Sequence, residues 1–106
     1  MIYMLELSQP VGSEKHSARH YIGYTDDVVS RLNQHLSGCG AKMIRHAVIN
    51  LGLGVRLVGV IEGDRSLERK LKNRKNNSRL VGIFENKNEK YKNYKDKYYK
   101  HGDVLP

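Results

Sequence analysis

The chain opens on an unbroken apolar run, Ile2-Tyr3-Met4-Leu5, followed by Glu6-Leu7. These β-branched, aromatic and aliphatic residues predict a strand. Pro10, Gly12 and the polar run Ser13–Ser17 break it, and Ala18–Tyr24 returns, the pattern of a β-hairpin with a long loop. A first helix is predicted over 26–37, with Thr25 as N-cap, Asp26 and Asp27 set against the helix dipole, and Gly38 as its stop. Ser37–Gly40 reads as a loop. Ala41, Ile44, Val48 and Leu51 then form an apolar stripe that predicts a second helix over Ala41–Leu51, ended by Gly52 and Gly54. Val55–Ile61 is dense enough in aliphatic residues to predict a third strand at the centre of a sheet. Asp64 or Ser66 caps a third helix with Leu67 and Leu71 on its inner face. Leu80–Phe84 is a short apolar piece expected to pack back on the core.

The order strand, loop, strand, helix, helix, strand, helix predicts an α/β domain: a small, mainly antiparallel three-stranded sheet flanked by helices. At 106 residues the chain makes one domain with a modest core and no need of covalent staples. The expected boundary lies at residue 86, with 87–106 a Lys/Tyr-rich tail. Tyr91, Tyr94 and Tyr98 fit one helical stripe there, so a short helix docked on the sheet and a frayed, DNA-stacking tail are both open. No internal repeat is present.

Charge changes the picture. Residues 1–64 carry six Lys/Arg and six Asp/Glu, whereas residues 65–106 carry thirteen against five, which accounts for the whole net charge of +8. That asymmetry points to an anionic partner for the C-terminal half, most simply nucleic acid, through Arg69, Lys70, Lys72, Arg74, Lys75 and Asn76. A solvated face that maintains solubility is the plainer reading. The lone Cys39 excludes an internal disulfide, and no cysteine–histidine pair has zinc-finger spacing. A reducing, cytoplasmic setting is expected. Met1 runs straight into a strand without a leader-like segment, and no apolar run is long enough to span a bilayer.

Candidate chemistry gathers around Tyr21-Ile22-Gly23, the end of the second strand, where a glycine lets something approach the backbone closely. Arg31 and His35 are four residues apart on the helix that follows and so share a face beside Tyr21. A tyrosine, an arginine and a histidine in one small volume suit phosphodiester chemistry: a proton acceptor, a fixed cation and a second acid–base group. Taken singly, each has an ordinary role. Tyr3 is a half-buried core tyrosine, Arg31 pairs with Asp27, and Glu68 pairs with Lys72 at i, i+4. His16, His20, His46 and His101 have no metal-ligand spacing.

Together these features resemble the GIY-YIG nuclease family over roughly residues 2 to 84. Ile2-Tyr3 matches the end of the first motif, and Tyr21-Ile22-Gly23 is the second motif intact. Arg31, His35 and Glu68 stand where the family has its helix arginine, its histidine or tyrosine, and its metal-binding glutamate. Asp64–Lys72, followed by Lys75-Asn76, looks like the small phage and bacterial members. Two departures are Met1 in place of the first glycine and Tyr24 where some relatives carry a lysine. The resemblance implies a DNA endonuclease working with one divalent cation, Mg²⁺ or Mn²⁺, held by Glu68. Arg31 would bind the phosphate, and Tyr3 or Tyr21 would take the proton from water with help from His35. The rival reading keeps the fold as a catalytically silent nucleic-acid-binding module. A dimerisation or inhibitor protein on the same scaffold would have no chemical reason to carry the cluster. A domain this small leaves targeting to weak sequence preference, a protein partner or a dimer.

Overall fold

The computed structural model describes residues 1–12, 17–73, 77–85, 91, 94 and 97–105. Strands β1 (Ile2–Gly12), β2 (Ser17–Tyr24) and β3 (Val55–Ile61) form one antiparallel sheet in the order β2-β1-β3. The helices are α1 (Val28–Leu36), α2 (Lys42–Arg45) running on into a π-helical segment (His46–Asn50), α3 (Arg65–Lys72) and α4 (Asn77–Glu85).

Alternation along β1 divides the core in two. Tyr3, Leu5 and Leu7 face one side, where they cluster with Val28, Leu32 and Leu36 of α1 and Ile44 of α2. Ile2 and Met4 face the other, with Leu71 of α3 and Leu80 and Phe84 of α4. Both faces of the sheet are therefore covered, and that is why the first strand reads as an unbroken apolar run. The same fact corrects the position expected for the third strand. β3 is an edge and β1 is the centre. Aliphatic density reports burial on two faces, not the number of hydrogen-bonded neighbours.

Further findings concern helix ends and type, some of them corrections. Asp27, not Thr25, caps α1: its Oδ1 accepts from the Ser30 N–H at 3.1 Å, while Thr25 Oγ1 accepts from the Asp27 N–H at 3.1 Å. The helix therefore starts two residues later than the expected 26. Asp64 caps α3 through the Leu67 N–H at 2.9 Å. The expected second helix keeps its apolar stripe but widens to π geometry from His46. Finally, the short apolar piece at 80–84 is helical. Leu80 and Phe84, at i and i+4, are 1% and 0% exposed. Each such burial contributes roughly 1.5–3 kcal/mol, more than the ~1 kcal/mol that Gly82 costs a helix interior.

The described residues of the C-terminal segment pack on the first face of the sheet. Tyr91 and Leu105 are buried with α1, and Tyr99 forms an antiparallel bridge to Val55. Leu105 N–H donates to Asn33 Oδ1 at 2.8 Å, and His101 Nδ1–H donates to the Leu36 carbonyl at 2.7 Å. Tyr98 Oη donates to Glu6, which His20 and Arg56 also contact at 3.1 and 3.3 Å. No helix among the described residues is long and apolar enough to cross a membrane.

Candidate active site

Tyr3 and Gly23 are register partners on β1 and β2. A Cβ on Gly23 would lie 2.3 Å from Tyr3 Oη, so the glycine leaves the space in which the Tyr3 ring crosses β2. The third residue of the second motif thus makes room for the tyrosine of the first. Beyond it, α1 presents His35, wholly buried, with Nε2 2.8 Å from Tyr3 Oη. The rings of Tyr3, Tyr21 and His35 meet edge-on or tilted at centroid distances of 5.6 to 6.3 Å.

His35 Nδ1 has no hydrogen-bond partner among the described residues. Gly40 lies against it, since a Cβ there would fall 2.0 Å from Nδ1. An unpaired acceptor lone pair is better tolerated in a core than an unpaired N–H. The ring proton is therefore assigned to Nε2, which donates to Tyr3. Burial, followed by the Arg31 charge, lowers the His35 pKa from 6.5 to about 4. Neutral imidazole is the form present at neutral pH.

Burial raises the Tyr3 phenol from 10.0 to about 12, although a hydrogen bond from Arg31 pulls the other way. That bond also raises the pKa of Arg31, ahead of the opposing effect of burial. A second bond, from Arg31 Nη1 to Gln34 Oε1 at 2.9 Å, fixes the guanidinium. The ordinary pairing of Arg31 with Asp27 does not occur among the described ion pairs.

Glu68 reaches the same place from α3, its side chain 15% exposed and 3.7 Å from Lys72 Nζ. Tyr3, Tyr21, Arg31, Glu68 and Lys72 line one pocket of about 530 Å³. His35 stands behind Tyr3, off the lining. Of the expected basic set, Lys72 alone among the described members borders this pocket. Arg69 and Lys70 are exposed on α3 away from it, and Arg74, Lys75 and Asn76 lie outside the described residues. Sequence reasoning missed Tyr24, Gln34 and Arg65, which also line the pocket. Arg65 was legible as the position one helical turn before Glu68.

No group of three His, Cys, Asp or Glu side chains able to hold a metal ion occurs among the described residues. The carboxylates of the pocket are those of Glu68 and Asp26. One or two carboxylates at an open, polar pocket fit a hard cation that keeps most of its waters, as Mg²⁺ does, and do not fit zinc.

The buried groups also fix how the fold responds to acid. His35 binds its proton more weakly folded than unfolded, so its contribution is full above pH 6.5 and is lost as pH falls from 6.5 through about 4. The loss amounts to on the order of 3 kcal/mol. Glu6 acts in the same direction at lower pH. Burial would raise its pKa, but hydrogen bonds from Tyr98, Arg56 and His20 and the Arg56 charge lower it from 4.5 to about 2. Its contribution is present above pH 4.5 and lost toward pH 2. Urea unfolding of wild type should lose stability between pH 6.5 and 4, and His35→Leu should give a flatter profile in that window. Equal slopes for the two proteins would rule out His35 as the titrating group.

A family model described as the GIY-YIG catalytic domain matches residues 1–103 of the chain. No curated protein and no solved structure compared with the chain matches it.

Proposed function

The chain belongs to the GIY-YIG family, and on that premise we propose that it is an endonuclease hydrolysing DNA phosphodiester bonds with one divalent cation, Mg²⁺ or Mn²⁺. The observation that carries this reading is the pocket itself: Tyr3, Tyr21, Arg31 and Glu68 line it together, from two strands and two helices.

Arg31 is the phosphate ligand in this reading. Its guanidinium is held by Gln34 and Tyr3 before substrate arrives, so no reorganisation is needed as charge grows on the non-bridging oxygens. Tyr3 is the stronger candidate for proton acceptor in its phenolate form, reached once the phenolic proton that burial retains is given up to solvent through the open pocket. Its oxygen already takes hydrogen bonds from Arg31 and His35, two donors that stabilise a phenolate more than a phenol. His35 assists as a fixed neutral donor and not as a relay, because its depressed pKa makes it a poor proton acceptor. Tyr21 packs against both rings and lines the pocket beside Tyr3. Glu68 holds the cation, which when bound supplies charge to the phosphate and the leaving oxygen.

The deciding experiment incubates the protein with labelled branched, nicked and linear DNA, with Mg²⁺ and with chelator. Cutting that needs the metal supports the reading. Binding without cutting under every metal condition would instead identify a silent nucleic-acid-binding module.

A further inference from the structure

Two tyrosines of the pocket each carry a cation supplied by α3. Lys72 Nζ lies 5.1 Å from the Tyr21 ring centroid, and the Arg65 guanidinium carbon lies 4.9 Å from that of Tyr24. Arg65, Glu68 and Lys72 recur at helical spacing on one face of α3, so the carboxylate is flanked by a cation on each side. The flanking cations are held differently. Lys72 is ion-paired with Glu68 at 3.7 Å. Arg65 has no carboxylate within ion-pair distance among the described residues. Asp26, the acid at that end of the pocket, instead accepts from Tyr24 Oη at 3.4 Å.

A guanidinium held against a ring by its charge keeps its N–H donors available. Arg65 is therefore an unneutralised guanidinium fork at the pocket edge, 4.9 Å from the Tyr24 ring centroid. Such a fork matches the oxygens of a phosphate. Arg31 and Arg65 line the same pocket, so both cations face a strand bound in it.

We propose that Arg65, seated on Tyr24, binds the backbone phosphate next to the one that Arg31 engages, and so sets the path of the strand through the pocket. The ligand class rests on the nuclease reading above; the test does not depend on cleavage. Binding of a fluorescein-labelled DNA duplex is followed by anisotropy in chelator over a salt series. Arg65→Ala should bind severalfold more weakly and lower the slope of log affinity against log salt by about 0.9, one phosphate contact on duplex DNA. Arg65→Lys should keep the slope but bind more weakly, since an ammonium lacks the planar fork. Tyr24→Phe keeps the ring and should match wild type, whereas Tyr24→Leu should weaken binding. Arg65 is exposed on α3, so folding is not at issue for its variants. A slope in Arg65→Ala equal to that of wild type overturns the assignment even if the wild-type protein cuts DNA. A slope lowered by one contact supports it even if the protein cuts nothing.

Discussion

Glu68→Ala should remain folded and bind DNA, yet its cleavage should fall to the level of the chelator control. Glu68 sits on the pocket wall and not in the core, and its ion pair with Lys72 is an i, i+4 contact on a helix. Losing such a contact costs only a few tenths of a kcal/mol. Removing a carboxylate from a pocket lined by Arg31, Arg65 and Lys72 raises its positive charge, so affinity for a polyanion should hold or increase. The opposite movement of binding and cleavage is what makes the variant informative. Measured side by side, intact cleavage in Glu68→Ala would remove the residue from the reaction and with it the proposed metal ligand.

Arg31→Ala should lower kcat by a factor of roughly a hundred to a thousand, the cost of about 3–4 kcal/mol for one charge-stabilising donor. KM should change less, because the interaction strengthens as charge develops. The structure adds a second cause of loss. Arg31 donates to Tyr3 and opposes the effect of burial on that phenol, so without it the proposed proton acceptor becomes still harder to ionise. Arg31→Lys should rescue only in part, since a point charge replaces neither the fork on phosphate nor the bonds to Tyr3 and Gln34 together. Thermal unfolding is the control. Activity that fell only in step with a large drop in melting temperature would make Arg31 a structural residue.

The sheet and the pocket were legible in the sequence for different reasons. Runs of β-branched, aromatic and aliphatic residues gave β1, β2 and β3, the spacing of Arg31 and His35 put them on one face of α1, and the family resemblance singled out Glu68, which lines the same pocket as Arg31. Periodicity says which residues are buried, but strand order depends on which strand has two neighbours, so β3 was misplaced at the centre. The cap of α1 was misplaced because Thr25, Asp26 and Asp27 are all competent caps, and only tertiary packing chooses among them. α4 was reduced to a short apolar piece since Gly82 weakens its local signal, while its stability comes from Leu80 and Phe84 in a core that the sequence does not display. Arg65 was given no role, because the basic segment opens at Arg69. Its distinction is the Tyr24 ring beneath it, a contact between residues forty-one positions apart.

The fastening of residues 98–105 to α1, β1 and β3 has a consequence for how the molecule is made. Leu105 packs with Leu32 and Leu36 on the inner face of the helix that carries Arg31 and His35, and Tyr99 zips onto the edge of β3. A chain emerging from the ribosome in order exposes β1, β2 and α1 early, but their covering arrives only after β3, α3 and α4. The support beneath the reactive face is therefore completed only after residue 105 has cleared the exit tunnel. Synthesis itself delays the moment at which this pocket acquires its final shape.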